Sequence, residues 1–386
     1  MSLFSQPSAC GQATSPIMNN PTDATRGNGT HSHCMCLNMA EWTSLFRIFI
    51  DVLHSFVGFR DGSGKKGPNQ GGKEDNVRDE LHTLGGYIEH TWDLSFVEEG
   101  LHDLWDELIH VAKRHPADSA EHDRLVTLIL EAREWGTVTR KKKDASADEE
   151  PEQVILPNGQ RLWVDLPYLV QEFQDAWMKE SMGYMAAQRE GLAALTARLC
   201  AVGVYPSELS CCALWLFKET FETERPLTRV EGEGHATNAC VPVVELLPAC
   251  HAWLKYTSFK LAIFTATNHD YPPPSTGDSV QASTAPGDLA PKSEFPCSGF
   301  SIPRWVFWRR RYKHFHHCGN EQIAKLARAC FEEAMFKGTR IGIELPGEKI
   351  FLTRIFEALD AEMVAQGMQS VEPQDIEIDM DWAEED

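Results

Sequence analysis

Apolar residues recur at helical spacing through most of this 386-residue chain. In one such row, Leu101, Leu104 and Leu108 follow Val97 at intervals of three or four residues. Residues at this spacing lie on one face of a helix, so each row marks a face that packs against a core. No regular alternation of strands and helices accompanies the rows. The sequence therefore predicts an all-α fold, an irregular helical bundle with disordered tails and an internal disordered insertion.

Polar and charged stretches separate the helical segments. Segments poor in apolar residues cannot offset the entropy lost on ordering, so we expect them to lack stable structure. The predicted organisation is a disordered N-terminal tail (1–40), an N-terminal helical region (41–138) with a flexible linker (61–77), a charged linker (139–155), a helical domain (156–368) with a disordered insertion (271–296), and an acidic tail (369–386).

The chain is strongly acidic, with a net charge of -21 from 57 acidic and 36 basic residues. This charge disfavours nonspecific binding to nucleic acid and to anionic lipid. The 11 cysteines form no spaced framework, which is typical of reduced thiols in an intracellular protein. No secretory signal is visible, and charged residues interrupt the apolar stretch 42–59, so no membrane span is predicted. We expect a cytoplasmic or nuclear protein, with Arg140–Lys143 as a short nuclear-import candidate.

Several motifs resemble cofactor or metal sites but occur in unsuitable surroundings. Residues 62–67 contain a GxGxxG pattern inside a polar linker, without the strand and helix that phosphate binding needs. The His and Cys residues of 31–36 are crowded together, whereas structural zinc sites draw ligands from separated places. His102, Asp106 and His110 share the helix face away from the leucine row. Cysteines in apolar helices are expected to be buried and inert. We therefore predict no catalytic, cofactor-binding or metal residue.

Four segments of the second half are similar to a known fungal family. They are LWVDLPYLVQEFQDAW (162–177), ALWLFKETFE (213–222), ACHAWLKY (249–256) and GFSIPRWVFWRRRY (299–312). With these segments, roughly residues 160–337 resemble the fungal domain of unknown function 3632 family. The resemblance implies an all-helical fold and a fungal source. It carries over no catalytic residue, and the N-terminal third and the acidic tail lie outside it.

The segment 303–317 predicts a helix with one aromatic face and a dense cationic remainder. In one interpretation, these cations pair with the protein's own abundant carboxylates inside the fold. In the other, they form an exposed cluster for an acidic partner or a phosphate. The residues of this candidate anionic-partner contact are Arg304, Arg309, Arg310, Arg311 and Lys313.

The acidic tail alternates acidic with apolar residues. This pattern is typical of disordered docking segments, in which charge keeps apolar anchors available to a partner. A solvated tail without function is the alternative, and capture of its carboxylates by the Arg-rich helix is a competing fate. The candidate partner-docking residues are Ile376, Ile378, Met380 and Trp382.

Two functions remain open from the sequence. The absence of a catalytic motif favours a non-catalytic helical protein, an interaction or regulatory module whose partner is another protein. The alternative is a helical enzyme or small-ligand binder with a pocket between bundle helices. No cofactor is implied by either.

Overall fold

Nine α-helices make up most of the described part of the chain, which confirms the predicted all-α fold. In this computed structural model the described residues are 94–140, 150–229, 240–271, 284–335, 338–367, 376 and 378–383. The helices are α1 (Leu94–Arg114), α2 (Ala120–Glu134), α3 (Leu169–Asp175), α4 (Ala186–Val202), α5 (Pro206–Phe217), α6 (Val243–Ala266), α7 (Ile302–His316), α8 (Glu321–Met335) and α9 (Glu348–Ala365). The predicted N-terminal tail, the apolar stretch 42–59 and the 61–77 linker lie outside the described residues.

Helix α4 lies at the centre and contacts α1, α2, α5 and α6. Its middle is small and apolar, and Leu192 and Leu195 are fully buried. At Gly191 the backbone of α1 approaches so closely that an added Cβ would lie 2.3 Å from the carbonyl oxygen of Ala112. A glycine is therefore needed where α4 crosses the end of α1. None of the helices in the described ranges is both long and apolar enough to cross a membrane.

Both ends of the predicted charged linker (139–155) are ordered. Strand β1 (Thr139–Arg140) pairs antiparallel with β2 (Glu152–Gln153). Arg140 Nε donates to Glu152 Oε1 at 3.2 Å, and Val154, which follows β2, is buried. The prediction of an unstructured 139–155 is therefore wrong for 139–140 and 150–155, because an ion pair and a buried valine attach both ends to the fold. Residues 141–149, which include most of the import candidate, lie outside the described residues.

Helix α3 begins at Leu169, although the helical spacing of Leu166, Leu169, Phe173 and Trp177 predicts an earlier start. Trp163, Leu166 and Tyr168 have positive φ angles of 65°, 39° and 66°, which a helix cannot accommodate. The turn is held because Trp163 and Leu166 are buried and Trp105 Nε1 donates to the Pro167 carbonyl at 2.7 Å. Asp165 is a residue type that caps helices and Pro167 is one that helices tolerate in their first turn, so tertiary packing overrides a local preference here.

Two short π-helices extend α3 and α5, at Ala176–Glu180 and Lys218–Glu222. Each places a large or charged side chain in the core, Trp177 in the first and Glu222 in the second, both with 0% exposure. Two tryptophans of α7, Trp305 and Trp308, are buried like Trp177, so all three indoles lie in the core.

His122, near the start of α2, gives a testable pH dependence of stability. Its Nε2 lies 3.0 Å from the Pro116 carbonyl, and its Nδ1 has no hydrogen-bond partner in the part of the chain that the structure describes. Burial, and then the positive charge of Arg198, lower the pKa of His122 to about 4. The unfolded chain binds this proton near pH 6.5, so stability is full above that value and is lost as the pH falls towards 4. The loss should be on the order of 3 kcal/mol.

Urea unfolding between pH 7 and pH 4.5 measures this effect. We expect the His122→Gln variant, whose amide can also donate to Pro116, to lose less stability than the wild type over that interval. Equal losses in both proteins would show that other groups cause the acid sensitivity.

Candidate functional site

The first arginine of α7 lies inside the core. Arg304 Nε donates to Glu222 Oε1 at 2.6 Å and Nη2 donates to Oε2 at 3.0 Å, with both side chains 0% exposed. Trp308 Nε1 also donates to Glu222 Oε1, at 2.7 Å. Bidentate pairing with further hydrogen bonds is the arrangement that makes a buried ion pair tolerable.

The loop before α7 completes this network. Arg304 Nη1 donates to the carbonyls of Thr284, Ser298 and Gly299 at 3.1, 2.5 and 3.1 Å. The Gly287 amide donates to Glu222 Oε2 at 2.7 Å. The predicted disordered insertion 271–296 is therefore wrong for 284–296, because the buried ion pair binds this loop through its backbone. Residues 272–283 lie outside the described residues.

The other predicted anionic-contact residues have different environments. Arg309 is buried, with Nη1 donating to the Pro346 carbonyl at 2.5 Å. Arg311 is half-buried beside the Phe315 ring, at 4.9 Å, and burial lowers its pKa. Lys313 forms an ion pair with Asp381 of the acidic tail. The first interpretation, pairing with carboxylates of the same chain, is therefore correct for Arg304 and Lys313. Of the five predicted residues only Arg310 is exposed. Contact of Arg310 with an anionic partner stays a prediction.

The described part of the acidic tail lies against its own domain. Ile376, Ile378 and Met380 are buried, whereas Asp379 and Asp381 between and after them are exposed. The ring of Trp382, which is half-buried, lies 6.3 Å from that of Phe351 in α9. In this part of the tail the apolar side chains are therefore buried and the acidic ones exposed. The surface that the apolar residues contact, however, belongs to the same chain, so for residues 376 and 378–383 the tail is not a free extension.

A serine and a histidine meet where α5 begins and α6 has ended. Ser207 Oγ lies 2.8 Å from His269 Nε2, and both side chains are half-buried. Phe264 stacks on the imidazole at 4.5 Å between ring centroids, and Tyr271 lies edge-on at 5.2 Å. These aromatic rings fix the orientation of the imidazole.

The electrostatics of this pair keep the histidine neutral. Burial lowers the pKa of His269, against the opposing charges of Asp270 and Glu208. A neutral imidazole can accept the proton of a serine hydroxyl, as general-base catalysis requires. Tyr271, hydrogen-bonded to Ser210 at 2.7 Å, keeps its proton because burial raises its pKa well above the usual range.

The cysteines in the apolar helices are poor nucleophiles, as predicted. Burial raises the pKa of Cys200 to about 11 and that of Cys250 to about 12. Burial also raises the pKa of Cys212 well above its usual value. Since the thiolate is the reactive form, these thiols are protonated and inert at neutral pH.

The predicted helix face of His102, Asp106 and His110 forms two separate contacts. His102 Nδ1 lies 2.6 Å from Glu172 Oε1, and His110 Nδ1 lies 3.2 Å from Asp106 Oδ1. Within the described ranges no group of three or more potential ligands is arranged to hold a metal ion. The His and Cys residues of 31–36 and the glycines of 62–67 lie outside those ranges.

The second half of α9 exposes large apolar side chains. Phe351 and Ile355 in the first half are buried, but Phe356 is 63% exposed and Val364 is 71% exposed. Acidic residues accompany them, at Glu357, Asp360 and Glu362. These two exposed apolar side chains lie eight residues apart on one side of the helix, with the exposed Asp360 between them, and we call the pair the α9 row.

Sequence reasoning missed both Glu222 and the pair of Ser207 and His269. The residues of each contact are far apart in the chain, by 82 positions for Glu222 and Arg304 and by 62 for Ser207 and His269. Helical periodicity reports only which residues share a face of one helix. No signal within either segment could have paired them.

A family of known sequences, described as a protein of unknown function (DUF3632), matches residues 105–312. The chain belongs to this family. The resemblance predicted from the sequence is thereby confirmed, although the match begins earlier and ends earlier than the predicted 160–337. It starts at Trp105, whose indole holds the turn before α3, and it ends just after the Arg304 network.

One curated relative is the "Oxopyrrolidines biosynthesis cluster protein G" of the fungus Penicillium oxalicum. It is 30% identical over 221 residues, which cover 56% of this chain and 59% of the relative. The chain thus spans less than two thirds of the length of this relative. No solved structure matches the chain.

Proposed function

We propose that this family member is a non-catalytic protein-interaction module. The observation that carries the proposal is the exposed apolar row on the second half of α9, where Phe356 and Val364 are 63% and 71% exposed. A helix that presents apolar anchors at helical spacing is suited to an apolar groove on another protein. The name of the Penicillium relative suggests that such a partner belongs to a fungal biosynthesis cluster.

The charges on α9 indicate the chemistry of the partner. Glu357, Asp360 and Glu362 surround the apolar anchors, and beyond Arg354 this helix carries no basic residue. A partner groove bordered by Lys or Arg would match these charges. The net charge of -21 on each copy makes two copies of this chain repel each other, which disfavours a second copy as the partner.

The test compares two matched double variants. Phe356→Ala/Val364→Ala removes the anchors, while Met185→Ala/Val202→Ala removes two side chains that are 68% and 52% exposed elsewhere. Partners are captured from the native fungus, purified and titrated against each variant. We expect the α9 variant to bind at least about tenfold more weakly and the control to bind like the wild type. If every purified partner binds the α9 variant with wild-type affinity, or if sedimentation shows that the row joins two copies, the proposal fails.

The pair of Ser207 and His269 supports a second candidate function, hydrolysis of an ester. In that reaction Ser207 Oγ would attack the acyl carbon and its proton would pass to His269 Nε2. The same proton would leave with the alcohol, and a water molecule would then release the acid and restore the serine. The 2.8 Å separation of Oγ and Nε2 is the observation that favours it.

A fluorophosphonate probe tests this second function directly. The serine oxygen would form a bond to phosphorus as fluoride leaves, so the expected result is a label on Ser207. We expect no label in Ser207→Ala and labelling about 100-fold slower in His269→Ala. His102→Ala, which alters a histidine paired with Glu172 instead, should label normally. An unlabelled wild type would exclude Ser207 as an activated nucleophile.

A further inference from the structure

The C-terminal tail marks a second binding surface on this molecule. We define the tail groove as the surface formed by Lys313, Gly347 and Phe351, which the segment 378–383 contacts. Asp381 forms an ion pair with Lys313, and Trp382 lies beside Phe351, with 6.3 Å between ring centroids. Phe351 in turn packs edge-on against Phe331 of α8 at 5.3 Å, so the groove wall is part of the core.

Gly347 allows the tail to approach the groove closely. Its φ angle is 73°, and an added Cβ would lie 2.0 Å from the carbonyl oxygen of Ala383. Any other residue would be strained by this backbone conformation and would also displace the tail. The short turn Met380–Ala383 buries Met380 and Ala383 against this site. The contact therefore depends on both backbone shape and side chains.

The chemistry of the bound segment defines what the tail groove recognises. Buried Ile378 and Met380 alternate with exposed Asp379 and Asp381, so apolar anchors face the domain while carboxylates face outwards. One of these carboxylates reaches Lys313, which lies next to the exposed Arg310 and His314 in α7. In a chain of net charge -21, a cationic border beside an apolar wall selects acidic ligands with apolar anchors.

We propose that the tail groove is a peptide-binding site for acidic segments with alternating apolar anchors, and that the chain's own tail occupies it in competition with such a segment of a partner protein. The ion pair of Lys313 and Asp381 is partly exposed, at 28% and 56%, so it is weak and screened by salt. A tethered ligand has an effective concentration on the order of millimolar, which a partner peptide must overcome. This inference does not rest on the α9 row, because Phe356 lies about 140° around the helix from Phe351.

The test uses the full chain and a fluorescent peptide with the sequence of residues 373–386. A tail-release variant, Asp381→Lys/Trp382→Ala, replaces the ion pair with like charges and removes the indole. We expect this variant to bind the peptide at least tenfold more tightly than the wild type, because its own tail no longer competes. Raising the salt concentration should weaken peptide binding to the release variant.

Charge reversal distinguishes the groove from a nonspecific surface. Lys313→Glu is combined with an uncharged released tail, Asp381→Ala/Trp382→Ala, so that the chain's own tail has no charge at position 381 to pair with the new carboxylate. This variant should bind the peptide only weakly, and a peptide carrying Asp381→Lys should restore tight binding. A peptide with Ile376, Ile378 and Trp382 changed to Ala should not bind, although all its charges remain.

Equal peptide affinities of the wild type and the release variant would overturn the proposal. If the double change impairs folding, Asp381→Lys alone provides the same comparison with a smaller expected gain, and equal affinities there also overturn it. The Phe356→Ala/Val364→Ala variant should bind the peptide normally. Failure of this inference and failure of the α9 interaction are therefore separate results.

Discussion

Replacing Glu222 with alanine is expected to lower the free energy of unfolding by ~3–5 kcal/mol, because Arg304 would remain charged inside the core without a counter-charge. The Glu222 carboxylate also accepts hydrogen bonds from Trp308 Nε1 and the Gly287 amide, both at 2.7 Å. These two donors would be left unsatisfied as well. The loop 284–296 should lose protection from hydrogen exchange, since Glu222 binds its backbone. Urea unfolding measures the first effect and exchange mass spectrometry the second.

Two further variants isolate the role of the buried pair. The double variant Glu222→Met/Arg304→Met removes both charges, so its loss of stability should be smaller than the sum of the two single losses. Asp288→Ala breaks the pair with Lys292 in the same loop, where Asp288 is 97% exposed, and should change stability by less than about 0.5 kcal/mol. If Glu222→Ala were as mild as Asp288→Ala, the network would not hold this part of the fold together.

Helix positions could be predicted where local signals and tertiary packing agree. Helix α2 is an example, because its N-cap Ser119 accepts a bond from the Glu121 amide and its end precedes Gly136 at a φ of 71°. The start of α3 could not be predicted, because Trp163, Leu166 and Tyr168 adopt positive φ angles there. This conformation accompanies contacts with distant elements, such as the bond from Trp105 of α1 to the Pro167 carbonyl. Composition likewise indicated disorder for 284–296. Its order comes from contacts with other elements, among them the Glu222–Arg304 pair and the bond from the Leu289 amide to the Glu222 carbonyl, which composition does not report.

For the candidate sites, the sequence could predict only relations between residues that are close together in the chain. The sequence predicted the aromatic face that contains Trp308, but it assigned Arg304 to the cationic remainder, although residues four apart share a helix face. Their shared acceptor, Glu222, comes from a π-helix 82 positions earlier. The tail anchors were identified from their alternation, but their binding surface combines α7, Gly347 and α9. The sequence pattern shows that the tail carries apolar anchors between acidic residues. The surface that these anchors contact is assembled by the three-dimensional fold, so the pattern cannot identify it.

Replacing Trp177 with alanine is expected to destabilise the protein by ~3–5 kcal/mol, because the change opens a cavity between α4 and α5. The Trp177 side chain is 0% exposed, its ring lies 6.4 Å from that of Trp215, and its Nε1 donates to Thr196 Oγ1 at 3.3 Å. Trp177→Phe keeps most of the apolar volume and loses that hydrogen bond, so it should cost only about 1–2 kcal/mol. Phe356→Ala provides the matched surface control, since that ring is 63% exposed and its removal should change stability by less than about 0.5 kcal/mol. Urea unfolding of the three variants measures these effects. Equal unfolding midpoints for Trp177→Ala and Phe356→Ala would contradict a structural role of the Trp177 indole. A large loss in Trp177→Ala alone would show that the π-helix Ala176–Glu180 stabilises the fold by holding this indole against α4.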